Sequence, residues 1–284
     1  MTESTKKIAV LGAGTMGHGI AHAAIAAGYP TSMYDVSEAA VSKGRGAIEQ
    51  IARKAVDLGK VSAADADAML RRLSATTSLR AALEDADVIV EAAPERIEVK
   101  LSLFAQIQEL APASAVIASN TSALSITEMA GSLANPSRVA GMHFFNPVHK
   151  MKLIEIVRAL ETAPATLEAI EDVARRMGKE TVLVREAPGF ITTRVNASIG
   201  NEAFYMLMEG VASARDIDKA LKLGLNHPMG PFELVDLVGL DTRLSILEYL
   251  HRSLGEKYRP CPLLAQYVKA GRLGRKVGRG VYEY

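Results

Sequence analysis

The chain has a single cysteine, Cys261, among 284 residues, so no internal disulfide can form. That suits a reducing compartment and excludes the disulfide-stapled secreted scaffolds. No apolar run approaches the ~20 residues that a membrane-crossing helix needs, so no bilayer span is expected. The opening stretch from Met1 to Lys7 lacks the apolar segment of an export signal, and Ile8–Gly12 reads as a strand instead. A cytoplasmic protein is therefore expected. An excess of one charge is missing too: 33 Lys and Arg against 32 Asp and Glu leave a formal net charge of +1. With no dominant sign, neither nucleic acid nor a membrane surface is expected as a partner. Internal repeats and low-complexity tracts are also absent.

What is present is globular. Apolar residues make up 49% and charged residues 23%, which argues against disorder, and the length suits two domains better than one. Up to about residue 184, short β-rich runs alternate with helical patterns. The runs are Ile8–Leu11, Thr31–Tyr34, Val88–Glu91, Val116–Ala118, Val139–Met142, Leu153–Val157 and Val182–Val184. Helical periodicity marks Val99–Leu110 and Leu167–Met177, the latter ending at Gly178. This alternation predicts a Rossmann-type, doubly wound α/β sheet that is mostly parallel. Ser37–Arg72 reads as an inserted helical hairpin, two polar helices broken near Gly59, with a capping box at Ser62–Asp65. Such a hairpin is expected to project towards a ligand or partner domain and not to join the core. After Ala187-Pro188-Gly189 the strand signals stop. Helices are expected over 190–209, 213–223 and 232–254, with Gly210 and Gly224 ending the first two. The expected division is thus a nucleotide-binding domain over 1–186 and an all-helical domain over 187–284. Apolar faces at Ile191, Val195 and Ile199, and at Leu244, Leu247 and Leu250, suit an ordinary core, with some surface left for another subunit.

The first strand runs into Gly12-Ala13-Gly14-Thr15-Met16-Gly17. Gly12 permits the tight turn, Gly14 lets the backbone approach a pyrophosphate, and Gly17 lets the following helix pack on the sheet. That helix aims its N-terminal amides at the phosphates. A second strand then ends at Asp35, where a ribose-binding acid belongs. A carboxylate there accepts hydrogen bonds from a 2′-hydroxyl and repels a 2′-phosphate, and Val36 and Ser37 supply no basic substitute. NAD is the expected cofactor. The bland alternatives are a turn that binds nothing and an Asp35 that merely caps the next helix. His18 and His22 have no third ligand nearby and read as packing or solvent residues. No Cys/His cluster suggests a metal anywhere.

Two polar clusters interrupt apolar strands. His143 lies in Gly141-Met142-His143-Phe144-Phe145-Asn146-Pro147, and Glu155 breaks the strand Leu153–Val157 twelve residues later. A carboxylate there is costly to bury unless paired. Either Glu155 faces solvent from an edge strand, or it orients His143 and stabilises the charged imidazole, as the third member of a triad does. Ser119-Asn120-Thr121-Ser122 follows another strand, where open α/β sheets bind ligands, although these residues also favour ordinary turns.

With Gly19-Ile20-Ala21, Ala93-Pro94-Glu95, Pro188-Gly189-Phe190 and Pro228-Met229-Gly230-Pro231-Phe232 added, these motifs stand in one order along the whole chain. In that order the chain resembles the L-3-hydroxyacyl-CoA dehydrogenases, particularly their bacterial 3-hydroxybutyryl-CoA branch. The resemblance implies NAD-dependent interconversion of an (S)-3-hydroxyacyl-CoA and a 3-ketoacyl-CoA, with a short-chain acyl-CoA as substrate and a homodimer as the assembly. It implies His143 as general acid/base, Glu155 orienting it, Ser122 bonding the substrate oxygen beside the nicotinamide, and Asn146 on the nicotinamide side. Glu95 and Lys100 would contact the cofactor's riboses, and Lys276 would approach from the C-terminal end. Arg53, Lys54 and Lys60 of the hairpin would lie over the CoA moiety, or equally be solvated helix charges. Where many members carry an asparagine two positions after Ile191, this chain has Thr193. Its hydroxyl can replace one of the amide's hydrogen bonds, and Asn196 lies too far from the expected site to supply the others. Three other functions remain open: a 3-hydroxyadipyl-CoA dehydrogenase, a family member acting on a sugar acid, and a non-catalytic NAD-binding protein of the same fold.

Overall fold

The computed structural model describes residues 7–284. Residues 1–6, on which the expected lack of an export signal partly rests, lie outside the described residues. The chain divides into two compact units, one running to Glu186 and the other from Ala187.

The first unit is built on β1 (Ile8–Leu11), α1 (Thr15–Ala26), β2 (Thr31–Tyr34), α2 (Glu38–Asp57), α3 (Ala63–Leu70), β3 (Leu73–Thr76), α4 (Leu79–Leu83), β4 (Val88–Glu91), α5 (Ile97–Leu110), β5 (Val116–Ser119), α6 (Ile126–Gly131), β6 (Val139–Phe144), β7 (Leu153–Arg158), α7 (Pro164–Arg176) and β8 (Glu180–Arg185). The strands form one sheet in the order β3-β2-β1-β4-β5-β6-β7-β8. The stretch from β3 to β6 is parallel, β7 runs antiparallel to β6, and β8 is parallel to β7. Every residue of β1, β4 and β6 is buried, as parallel strands covered on both faces require. The chain steps outward from β1 to β3 and returns to the far side of β1 as β4. This reversal opens a crevice at the strands' C-terminal ends, the place where doubly wound sheets take ligands.

Two features of the first unit correct the sequence reading. The hairpin is not a projecting insertion throughout, because α2 buries Val41, Gly44, Ile48 and Ala52. Ile48 is fully buried in the same cluster as Ala13 and Met33. The segment is the crossover between β2 and β3; its outer face is exposed along its length, and Arg53, Lys54 and Lys60 are exposed at its far end. Strand β3 itself escaped detection because Leu-Ser-Ala-Thr offers a single large apolar side chain. Ser37 and Ser62 cap α2 and α3, accepting from the backbone amides of Ala40 and Asp65.

The second unit is helical: α8 (Thr192–Met208), α9 (Ala214–Gly224), α10 (Pro231–Val238), α11 (Leu240–Leu254) and α12 (Pro262–Lys269). The expected helix over 232–254 is two helices, because Gly239 between them takes φ +107°, in the region that favours glycine. Helix α9 runs through Gly224, not only up to it. The core centres on Phe204, whose ring meets Phe232 and Tyr267 edge-on at 5.1 and 6.0 Å between centroids. Asp236, itself buried, accepts from the amides of Val281 and Tyr282 at 2.8 and 2.9 Å and so fastens the C-terminal segment.

A Cβ at Gly44 would lie 2.7 Å from the Ala13 carbonyl oxygen, whereas one at Gly46, two residues on, would meet nothing. Gly44→Val is expected to destabilise the protein by about 1–3 kcal/mol through overpacking. Gly46→Ala should stabilise it by up to about 1 kcal/mol through helix propensity. Urea titration of both variants checks this. A Gly44→Val protein that unfolds no earlier than wild type would contradict the core packing of α2.

Candidate active site

The glycine turn after β1 is dictated by sterics. Gly12 has φ +111°, and a Cβ there would lie 2.5 Å from the Ala92 carbonyl oxygen; one at Gly17 would lie 1.7 Å from the Gly12 oxygen. Gly14 has only open space beside it. No side chain caps α1, so the amides of its first turn, at Thr15, Met16 and Gly17, face that space as an anion seat. The Asp35 carboxylate accepts from the Ala13 amide at 2.9 Å and the Ser37 amide at 3.2 Å, which ties the turn to the end of β2. Val36 beside it is 82% exposed and brings no cation. A glycine cradle, an uncapped helix start and a fixed carboxylate fit a dinucleotide whose 2′-hydroxyl is free.

Next along the strand ends lies a buried network. Glu91, with no exposed surface at the end of β4, receives the Lys100 ammonium at 2.6 Å, the Ala93 amide at 2.7 Å and the Ser119 hydroxyl at 2.5 Å. Glu95 accepts from the Thr121 hydroxyl at 2.6 Å and the Ser122 amide at 2.8 Å, with the Lys100 ammonium 3.5 Å from its other oxygen. The ends of β4 and β5 and the first turn of α5 are thus bound to the loop that carries Ser122. The Lys100 side chain is 1% exposed and its ammonium is directed at carboxylates, as an ammonium taken out of water must be. Glu95, exposed at the crevice, remains placed to meet a ribose. Glu91 was missed altogether, although a carboxylate closing an apolar strand was its signal.

The third part is the strand pair β6–β7. Its antiparallel register sets His143 directly opposite Glu155, on the same face. Glu155 has no exposed surface and His143 is 5% exposed, so the edge-strand reading of Glu155 fails; the edge of the sheet is β8. The His143 Nδ1 lies 2.7 Å from the Glu155 carboxylate. An ionised carboxylate only accepts, so Nδ1 carries the proton and the basic lone pair of the neutral ring is on Nε2. Phe145 packs against the imidazole with centroids 4.6 Å apart. Asn120, from the cluster after β5, accepts the Phe144 amide at 2.9 Å and so locks the end of β6 beside His143. Asn146 follows on an exposed turn.

The remaining expected residues are dispersed. Thr193 is half-buried in the first turn of α8, and Lys276 forms an ion pair with Asp241 at 2.6 Å; both belong to the second unit. His18 bonds the Gly14 carbonyl through Nδ1 at 2.8 Å. Among the described residues no group of three or more His, Cys, Asp or Glu could hold a metal ion, and no helix is long and apolar enough to cross a membrane.

Comparison with known proteins agrees with this geometry. The family model of the 3-hydroxyacyl-CoA dehydrogenase NAD binding domain matches residues 7–187, and that of the 3-hydroxyacyl-CoA dehydrogenase C-terminal domain matches 189–284. A Bacillus subtilis protein named as a probable 3-hydroxybutyryl-CoA dehydrogenase is 46% identical over 280 residues, 98% of this chain and 97% of its own. An Escherichia coli 3-hydroxyadipyl-CoA dehydrogenase is 40% identical over 286 residues, all of this chain and 60% of its own. The crystal structure of (S)-3-hydroxybutyryl-CoA dehydrogenase from Ralstonia eutropha superposes with a TM-score of 0.95 at 41% identity, covering 99% of each chain.

The buried pair at the centre of the network gives a thermodynamic test. Lys100→Met would leave Glu91 charged, buried and without its ammonium, and should destabilise the protein by about 3–5 kcal/mol. Adding Glu91→Gln to that variant should recover a large part of the loss. Urea denaturation of the two single variants and the double variant closes the cycle, and strictly additive losses would contradict the coupling.

Proposed function

The chain belongs to the 3-hydroxyacyl-CoA dehydrogenase family and is an NAD-dependent enzyme, and we propose that it interconverts (S)-3-hydroxybutyryl-CoA and acetoacetyl-CoA with His143 as general acid/base. The observation that carries this reading is the buried hydrogen bond from His143 to Glu155 at the C-terminal end of the sheet. Both closely similar proteins named for 3-hydroxybutyryl-CoA support the short acyl chain. The 3-hydroxyadipyl-CoA relative keeps a second acyl group in view, and rates against acyl chains of different length and charge separate the two.

In the oxidising direction, Nε2 of His143 takes the proton of the C3 hydroxyl as the C3–H bond breaks and the C3–O bond becomes a carbonyl. NAD, when bound, accepts the hydride released from C3. Glu155 holds the ring in the tautomer that leaves Nε2 basic and stabilises the imidazolium that forms. In reduction His143 returns the proton to the C3 oxygen. An imidazole suits both directions because its ordinary pKa lies near neutrality. Ser122 donates to the substrate oxygen from a loop that Glu95 fixes through its amide. Asn146 orients the nicotinamide side. Asp35, Glu95 and Lys100 would hold the riboses, with Lys100 3.5 Å from the Glu95 carboxylate, and the amides of Thr15, Met16 and Gly17 would receive the pyrophosphate. Lys276 and Thr193 contribute from the second unit, the first to cofactor and the second to substrate. We also assign the chain to the cytoplasm, on its single cysteine, and to a homodimer formed through the second unit. Ile191 and Val195, one turn apart and 49% and 55% exposed, offer an apolar stripe to a partner subunit.

The direct test is reduction of acetoacetyl-CoA by NADH, followed at 340 nm with chiral analysis of the product. The (S) alcohol is expected, and the (R) alcohol or no turnover with any 3-ketoacyl-CoA would overturn the reading. His143→Ala should lower kcat by about two to four orders of magnitude, the usual scale for a positioned acid/base. Glu155→Gln should also lower kcat while leaving NADH affinity nearly as it was. Near-wild-type kcat in either variant removes that residue from the mechanism. Asp35→Ala should weaken NADH binding and narrow the preference over NADPH; a wild type that uses NADPH equally well would mean that Asp35 does not meet the ribose. Thr193→Val keeps the shape and removes the hydroxyl. It should lower kcat/KM for acetoacetyl-CoA about tenfold, roughly 1.4 kcal/mol. An unchanged kcat/KM would mean that the threonine only packs.

A further inference from the structure

Strand β8 is the free edge of the eight-stranded sheet and pairs only with β7. The amides of Glu180 and Glu186 donate to the carbonyls of Lys152 and Arg158 at 2.8 and 3.0 Å, so the even-numbered residues turn their backbone groups inward. By the alternation of a strand, the backbone groups of Thr181, Leu183 and Arg185 point away from β7, to the side where no strand lies. Natural edges are commonly blunted by proline, bulges or a covering element. Strand β8 contains no proline, its charges Glu180 and Arg185 stand at its two ends, and Val182 and Leu183 at its centre are 38% and 56% exposed. A row of unpaired backbone groups beside exposed β-forming side chains is a template for one more strand.

One end of this edge is also electropositive. In the parallel register Arg158 of β7 lies directly beside Arg185 of β8, so both exposed side chains leave the same face. Neither guanidinium has an ion pair or hydrogen bond among the described residues. Like charges set side by side cost stability. The nearby carboxylate is engaged elsewhere: Glu186 accepts from the Ser125 hydroxyl at 2.7 Å, from the Thr127 amide at 3.0 Å and from the Thr127 hydroxyl, which hold it to the start of α6. Thr127, Arg158, Leu160, Leu183, Arg185 and Glu186 line a cavity of about 610 Å³, in which Leu160, 77% exposed, and Leu183 supply open apolar surface. Gly141 faces Val157 across β6 and β7, so Arg158 lies near the start of β6, about 10 Å along β7 from Glu155. The cavity is thus at the other end of β6 from His143, away from the proton-transfer pair.

We propose that the free edge of β8 docks an extended segment of another protein as a ninth strand, with an acidic side chain of that segment seated at Arg158 and Arg185. The outward amides and carbonyls of Thr181, Leu183 and Arg185 pair with the backbone of the added strand, and alternate side chains of that strand fall on the face of Leu183 and Arg185. An apolar side chain then lies beside Leu183. The carboxylate two residues away meets the Arg185 guanidinium, Arg158 reaches it from the next strand, and the repulsion of the bare pair is relieved. A second copy of this chain is a poor occupant. Two-fold pairing of β8 with itself about Val182 sets Lys179 opposite Arg185, and pairing about Leu183 sets Glu180 opposite Glu186, like charge against like in both. The charges therefore select a different chain of acidic character.

The test is an NMR titration of the full-length protein, with its leucine and valine methyl groups isotopically labelled, by the blocked peptide acetyl-Ser-Val-Thr-Val-Thr-Asp-Ser-amide, whose valines and aspartate share one face when it is extended. The methyl signals of Val182 and Leu183 should shift while those of Val10 and Leu11 in β1 stay in place, and nuclear Overhauser effects should link the peptide backbone to the amides of Thr181, Leu183 and Arg185. In the double variant Arg158→Gln/Arg185→Gln, at two exposed sites outside the catalytic machinery, affinity for the peptide should fall about tenfold, the scale of a charge-assisted hydrogen bond, while turnover stays near that of wild type. A peptide with lysine in place of aspartate should show the same loss on the wild-type protein, an arm that needs no variant. Absence of shifts at Val182 and Leu183 overturns the proposal, as does equal affinity for the aspartate and lysine peptides, or binding without the backbone contacts. Succinate that reproduces the peptide's shifts would make this a small-anion site, and shifts that depend on protein concentration alone would hand the edge to a second copy; either result overturns the proposal.

Discussion

A carboxylate with no exposed surface is tolerable in the middle of a sheet only because an imidazole lies directly across the strand pair from it. Glu155 and His143 are held in that relation by the antiparallel register of β6 and β7, the one place where this otherwise parallel sheet reverses. A one-residue slip would turn both side chains to the opposite face. The reversal therefore does more than extend the sheet. It brings a base and its orienting acid to the strands' C-terminal ends, the same edge to which the parallel strands deliver the glycine turn, Asp35, Glu91 and Ser119.

The same physical logic recurs one step away. Glu91 and Lys100 are a second buried charge pair, and it too is satisfied on every side that the structure displays: an ammonium, an amide and a hydroxyl converge on one carboxylate. Buried ion pairs add little net stability, because desolvation offsets attraction. What such a pair does supply is fixed geometry. Glu91 binds the end of β4 to β5 and α5, and Glu95 passes that order on to the amide of Ser122. In both pairs the energetic burden of burial is confined to places where a side chain must not wander. The second unit repeats the device with Asp236, which fastens the segment carrying Lys276.

The sequence made some of this plain and hid the rest for identifiable reasons. Apolar runs such as Ile8–Leu11 and Val139–Met142 announced strands because both faces of a parallel sheet are covered. Leu73–Thr76 did not, since a short strand with small and polar residues resembles a loop. The glycine turn and Asp35 were legible because their spacing is local. The relation of His143 to Glu155 was left open between two readings, since register is set by pairing and not by the twelve intervening residues. The pairing of Lys100 with Glu91 was hidden for the same kind of reason, since only tertiary packing reveals the burial of a lysine in the first turns of a helix.

The central claim is that Glu155 fixes the tautomer of His143, and the 15N chemical shifts of that imidazole report it directly. On the alkaline side of its titration, where the ring is neutral, the account predicts a protonated Nδ1 and a bare Nε2 in the wild type, with this preference weakened in Glu155→Gln. A bare Nδ1 in the wild-type protein would contradict it, because the ring would then present no basic nitrogen to the substrate oxygen.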